Sequence, residues 1–190
     1  MAFAVKKHQL DQDLKWIGIP EQEFTYYKPF VNREVPGVCG TYALAALTHY
    51  TIKKDTGYKL DMQQLIDGYL KIVDGAAPYV GTYFWDLTRG FKKMLGKKQP
   101  YRIHSTILTE RTVLNELNKM SPLPIIVGTV SFLGSSYKNH WLLVYAYAYD
   151  SKGKLWYKAY DNHGNSQAVI PAVQTLSAVF LERKVDLNKK

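Results

Sequence analysis

The chain has a single cysteine, Cys39, among 190 residues. One thiol excludes an internal disulfide and a thiolate zinc cluster. No apolar run approaches the roughly 18 residues that span a bilayer, so no transmembrane segment is expected. No internal repeat is visible, and there is no arginine-rich stripe or other nucleic-acid motif, so no specific nucleic-acid partner is expected. Met1 to Trp16 is interrupted by Lys6, Lys7, Asp11, Asp13 and Lys15, which does not make the apolar core of a secretory signal. A soluble protein is expected, in a cytoplasmic or a secreted (effector) setting, since the lack of disulfides excludes neither.

Hydrophobic residues make up 46% and aromatics 14%, the composition of a folded chain with a sizeable core. The length suits one domain, 1–190. The formal charge is +9, from 25 basic and 16 acidic residues. The basic residues are dispersed, with small knots at Lys53-Lys54, Lys92-Lys93, Lys97-Lys98 and Lys189-Lys190. They read as solvated faces that steer the protein toward an acidic partner or an anionic surface in a salt-sensitive way.

The chain is organised around Val35 to Tyr50, V-P-G-V-C-G-T-Y-A-L-A-A-L-T-H-Y. A Pro-Gly turn precedes Cys39 and a helix-forming run follows it. Only Thr41, Thr48 and His49 are polar in that run, so the helix is expected to be buried almost all round. Cys39 falls in its first turn, where unpaired N–H groups and the helix dipole favour a thiolate and a developing oxyanion. Such placement lowers a thiol from about 8.5 into the range of about 3.5–7.5 when a cationic partner is near. A lone cysteine with histidines elsewhere is a candidate nucleophile.

The spacing predicts an irregular arm over 1–32, a mainly helical part over 35–124 and a mainly β part over 125–185. After the buried helix, to about Lys53, come helices over Asp61–Asp74, from an N-cap at Thr82 to Gly96, and over Thr109–Met120. Gly75 to Gly81 reads as a loop. Strands follow at Ile125–Val130, His140–Tyr149 and Leu155–Asp161, the last two joined by a hairpin turn at 150–154. Ala168–Ile170 reads as a further strand, and Val173–Val185 suits helix or strand. Helices first and strands after is the α+β pattern.

A thiol nucleophile needs a base in reach and a group that orients the base. His49 lies roughly 15 Å along the helix axis from Cys39 and cannot serve. His8 falls in the arm, His104 in a connector, and His163 in a D-N-H-G turn exposed to solvent. His140 begins a strand directly after the polar loop Ser131–Asn139. Folding the hairpin symmetrically about Lys152 sets position 140 opposite 164, within a few residues of Asp161 and Asn162. Either side chain would fix the imidazole tautomer.

The ordered pieces V-C-G-T-Y-A-L-A-A-L from Val38, V-G-T-Y-F-W-D-L from Val80, L-P-I-I-V-G-T-V from Leu123, N-H-W-L-L-V-Y-A-Y from Asn139 and W-Y-K-A-Y-D-N from Trp156 resemble the papain-like cysteine peptidases. The closer likeness is to the bacterial peptidases that process double-glycine leader peptides and to their stand-alone relatives. It implies a papain-like α+β fold, with a helical lobe carrying the catalytic helix packed on an antiparallel sheet. It also implies a thiol hydrolase that cleaves a peptide or isopeptide bond through a thioester. Cys39 would be the nucleophile, His140 the base and Asp161 the orienter, with Asn162 as the alternative orienter. The substrate would be a protein or peptide, with no metal and no organic cofactor. Trp85, Tyr137 and Trp141 would line the cleft. Such peptidases usually carry an oxyanion Gln about six positions before the cysteine; Arg33 stands there, and the neighbouring amide Asn32 is the expected donor. Without a donor, a peptide-binding module of the same fold is the alternative. A transglutaminase or deamidase would use the same Cys-His-Asp set.

Overall fold

A run with almost no polar face has to be wrapped by protein, and that requirement shapes the fold around Cys39. A computed structural model describes residues 14–32, 36–75 and 81–184. The start of the expected arm, Arg33 to Val35, most of the loop before Gly81 and Lys189-Lys190 lie outside the described residues. Pro36 and Gly37 form the foreseen turn, with Gly37 at φ 87°. Helix α1 (Cys39–Thr56) begins at the cysteine and ends on Gly57 in the left-handed region, φ 74°. From Cys39 to Thr51 every residue but Tyr42 is buried. Its buried polar groups are matched from neighbouring elements: Thr48 meets Tyr69 Oη at 2.8 Å and His49 Nδ1 meets Tyr27 Oη at 2.8 Å. These bonds remove most of the cost of burying polar atoms in an apolar helix.

Helix α2 (Met62–Tyr69) is capped by Asp61, whose carboxylate accepts from Gln64 N–H at 2.8 Å. The continuous helix expected to Asp74 instead widens into a π turn over Leu70–Asp74. The widening sets the Asp74 carboxylate where Thr41 Oγ1 donates to it at 2.5 Å. Helix α3 (Phe84–Leu95) starts one residue later than expected, with Tyr83 as N-cap and its N–H donating to Asp86 at 3.1 Å. Thr82 is not the cap. Its hydroxyl lies 3.0 Å from the Gly37 carbonyl and 3.1 Å from Asp74, tying the start of α3 to the turn before Cys39. Helix α4 (Thr109–Leu117) ends before the expected Met120.

Among the described residues, seven strands form one antiparallel sheet: β1 (Ile17–Gly18), β2 (Tyr101–Thr106), β3 (Ile125–Thr129), β4 (His140–Tyr149), β5 (Leu155–Tyr160), β6 (Ala168–Pro171) and β7 (Thr175–Arg183). The order is β2-β7-β3-β4-β5-β6, with β1 added to β4. β4 is buried at every position but its last, and it contacts both α1 and α4. Its unbroken apolar run reflects cover on both faces rather than one. β7 settles the ambiguous segment as strand, because Thr175 to Arg183 fills the gap between β2 and β3. The connector assigned to His104 is strand β2.

The arm is also more regular than expected. Glu21–Tyr27 forms a 3-10 helix that buries Phe24 and Tyr27. Phe24 stacks between Tyr50 of α1, at 5.1 Å, and Tyr145 of β4, at 4.0 Å. Truncating such a buried ring costs about 3–5 kcal/mol. One apolar cluster runs from Ile19 through α1 and the sheet to Leu181.

Gly90 marks the closest approach between α3 and its neighbours. A Cβ there would fall 2.5 Å from Val73 Cγ2 and 3.6 Å from Leu44 Cδ2. Gly90→Ala is therefore expected to lower stability by about 1–3 kcal/mol through overpacking, outweighing the roughly 1 kcal/mol that alanine adds in a helix. In a Val73→Ala background the clash is gone, and the same substitution becomes neutral or stabilising. Urea unfolding of the four proteins reads this coupling; additive costs would contradict it.

Candidate active site

Three segments meet at the start of α1: the end of the arm, the first residues of β4 and the turn after β5. Asn162, fully buried, joins them. Its Nδ2 donates to the Trp141 carbonyl at 2.9 Å and lies 3.4 Å from the Cys39 carbonyl. Its own carbonyl accepts from Asn32 N–H at 3.0 Å. It adopts φ 45°, a left-handed conformation that asparagine tolerates better than most residues.

Cys39 is 8% exposed. Burial raises its thiol above the ordinary value, and the Asp74 carboxylate adds to the rise, while the main-chain N–H groups of Trp141 and Gly40 pull the other way. The helix start thus supports a thiolate, as the sequence suggests, but desolvation outweighs it in the resting structure. Thr82 closes over the same helix start: a Cβ on Gly40 would meet its Cγ2 at 2.7 Å. Trp141 Nε1 donates to the Thr82 carbonyl at 2.7 Å, so the expected wall residue is also a strap between sheet and helices.

His140 is 6% exposed, and its Nε2 lies 2.8 Å from the main-chain carbonyl of Asp161. A carbonyl can only accept, so Nε2 carries the proton and Nδ1 keeps its lone pair. Burial depresses the imidazole to about 4; the Asp161 carbonyl opposes that shift and the neighbouring His163 reinforces it. The Asp161 carboxylate is occupied elsewhere. It accepts from Tyr137 Oη at 2.8 Å and from the N–H groups of His163 and Asn165 at 2.9 Å each. It therefore builds the turn that aims its own carbonyl at His140. The Asn162 side chain goes to the carbonyls above.

The symmetric register placed position 140 opposite Gly164. A bulge between Val144 and Ala146 shifts the hairpin by one, giving Leu143 opposite Tyr160. Carried forward, that register sets His140 opposite His163, and the two rings stand 4.2 Å apart between centroids. The turn histidine read as solvated is exposed but packed on His140, and Tyr137 stacks on His140 at 5.6 Å. The signal for His163 is the bulge, which no local sequence pattern announces. Asn32 also lies here. With its amide oriented to match its neighbours, Nδ2 donates to His163 Nε2 at 3.1 Å and Oδ1 accepts from Cys39 N–H at 3.3 Å. Trp85 is 47% exposed at the start of α3 and stacks on Tyr83 at 4.5 Å, whereas Tyr137 and Trp141 sit deeper. Among the described residues, no three His, Cys, Asp or Glu side chains group as metal ligands. No helix among them is long and apolar enough to cross a membrane.

The depressed imidazole makes a stability prediction. An unfolded histidine takes up its proton near pH 6.5, whereas folded His140 resists protonation until about pH 4. Between those values the unfolded chain binds more protons, so this contribution is complete above pH 6.5 and is lost as pH falls toward 4. The difference in unfolding free energy between wild type and His140→Gln should therefore shrink across that window. A pH-independent difference would contradict the buried neutral imidazole.

No family model matches the chain, and no curated protein does. Solved structures do. The recombinant stem bromelain precursor superposes with a TM-score of 0.51 at 13% identity, covering 88% of this chain and 74% of that one. The Amb a 11 cysteine protease from ragweed pollen, in its proform, gives 0.46 at 13% identity, covering 89% and 66%. The bromelain likeness spans both the helices around Cys39 and the antiparallel sheet. The chain has the papain-like cysteine protease fold.

Proposed function

We propose that the chain is a cysteine peptidase in which Cys39 is the nucleophile, His140 the general base and acid, and Asp161 the orienter, acting through its main-chain carbonyl. The observation that carries this reading is the 2.8 Å contact from His140 Nε2 to that carbonyl, which leaves the lone pair on Nδ1 free to accept a proton. At neutral pH the resting thiol and imidazole are both uncharged. When a peptide carbonyl docks, His140 takes the Sγ proton as sulfur attacks the carbonyl carbon. The oxyanion that forms is held by Cys39 N–H and by the Asn32 amide, which turns as substrate oxygen displaces its own from that N–H. Collapse expels the amine, which takes the proton from His140, and leaves a thioester. Water then attacks the thioester with His140 again as base, releasing the acid and the thiol. Asn162 holds the helix start and β4 in register during these steps. The exposed Tyr83–Trp85 pair supplies an apolar platform for the chain being cleaved. The motif likeness to double-glycine leader peptidases suggests a peptide or isopeptide bond in a small-residue context.

A second reading has one observation in its favour. Asn32 Oδ1 already satisfies Cys39 N–H, so the oxyanion position is filled in the resting state. A chain in which that amide never turns would bind peptides without cutting them.

Cleavage of a diverse peptide library tests both readings. Cys39→Ala should abolish turnover, and Asn32→Ala should lower kcat by about 10²–10³ with little change in KM. Asp161→Asn, which keeps the carbonyl, should retain far more activity than His140→Ala. The acid limb of kcat/KM should fall near pH 4, the value of the buried imidazole. Binding without turnover in the wild type supports the module. Ammonia release from glutamine peptides, without chain cleavage, identifies a deamidase or transglutaminase. Turnover that survives Cys39→Ala removes the thiol mechanism.

A further inference from the structure

A concavity of about 950 Å³ lies away from Cys39, between the C-terminal half of α3, the loop that follows it, β2 and the end of β7. Arg89, Lys92, Lys93, Lys97, Arg102 and Lys184 line it, and no carboxylate does. Two acids touch the rim: Asp86 pairs with Arg89 at 2.8 Å, and Glu182 lies 3.9 Å from Arg102. Six formal positive charges against two carboxylates leave a surplus of four. Among the described residues, no ion pair engages Lys92, Lys93 or Lys97. The cations come from separate segments and converge on one hollow, whereas a solvated helix face would spread them. Part of the charge on Lys92 and Lys93 answers the negative end of the α3 dipole; Lys97, Arg102 and Lys184 lie beyond that helix.

We propose that this hollow binds a small ligand carrying several phosphate groups. The volume falls within the roughly 300–1,000 Å³ of small-molecule sites. The two guanidinium groups offer planar forks suited to phosphate oxygens, and the lysines add mobile point charges. Low-dielectric walls around charges of one sign focus the field into the hollow. A single-stranded nucleic acid fits less well, because it needs exposed rings on which bases stack. Of the rings that line it, Tyr101 is 3% exposed with its hydroxyl donating to Asp55 at 3.0 Å, and His104 is already stacked on Phe180 at 5.2 Å and held by Glu182 at 2.9 Å. The site stands on its own whether or not the chain is a peptidase: its lining includes none of Cys39, His140, Asp161 or Asn32.

Calorimetric titration with inorganic tripolyphosphate, at about 0.15 M salt, tests the proposal, with inorganic phosphate and a single-stranded oligonucleotide as comparison ligands. One tripolyphosphate should bind per chain, more tightly than phosphate, and raise Tm. Lys93→Glu/Lys97→Glu should weaken it at least about tenfold. Lys59→Glu/Lys71→Glu, with the same change in net charge on other exposed lysines, should leave it unchanged. Circular dichroism checks that both variants are folded, and Arg102→Gln gives a milder second probe of the same loss. Equal weakening by both pairs would reduce the effect to net charge and overturn the site, as would no saturable binding at that salt. Tighter binding of the oligonucleotide, lost in the same variants, would replace the small ligand with nucleic acid.

Discussion

The buried amide of Asn162 is the joint on which the candidate site depends. One side chain spans the Trp141 and Cys39 carbonyls, and its main chain holds Asn32. Each of those carbonyls ends an element: Cys39 opens α1, and Trp141 stands at the start of β4. Trp141 precedes the first β4–β5 pair, so that ladder leaves its carbonyl open, and the Asn162 amide answers it while its second contact ties the same turn to the start of α1. An apolar residue in its place would strand the Trp141 carbonyl away from water, at about 1–3 kcal/mol. The left-handed backbone at Asn162 is part of the same device, since it turns the chain so that the preceding carbonyl meets His140.

Around that joint, the helical side is clamped by hydroxyl and carboxylate groups. Thr82 reaches both Gly37 and Asp74, and Asp74 also receives Thr41. This half-buried network draws α1, the π turn and α3 into one unit behind the thiol. It has an electrostatic consequence: burial raises the Asp74 carboxyl, and its charge in turn disfavours a thiolate at Cys39. With His140 pushed down by burial, the thiol and the imidazole both favour their uncharged forms at rest. A proton then has to move during the reaction proposed here, which ties reactivity to the arrival of substrate.

Much of this was legible in the sequence. A Pro-Gly turn, one cysteine and thirteen residues with almost no polar face have few solutions other than a buried helix that starts at the thiol. The D-S-K-G-K turn between two β-rich runs has few other than a hairpin. Those local patterns were strong because each rests on periodicity or backbone restriction within about a dozen residues. Helix α3 starts one residue later than the local pattern implies, because Thr82, a good cap in isolation, gives its hydroxyl to Gly37 and Asp74 instead. The regularity of the arm has no local signal because it is borrowed: Phe24 is ordered by Tyr50 and Tyr145, far along the chain.

The sequence by itself determined that Cys39 opens a buried helix, that His140 begins a strand, and that Asp161 and Asn162 follow the next strand. Tertiary structure decided how those residues address one another. The bulge at Tyr145 depends on the arm, since Ile19 N–H takes the Tyr145 carbonyl at 2.9 Å. That single extra residue moves His163, not Gly164, to face His140. The same long-range packing turned the Asp161 carboxylate toward Tyr137 and left its carbonyl for the imidazole. Composition and spacing name the groups that can react. Which atom of each group faces its neighbour is a matter of register and burial, and those are set by contacts between separate segments, 24 residues apart for Tyr137 and Asp161 and more than a hundred for Ile19 and Tyr145.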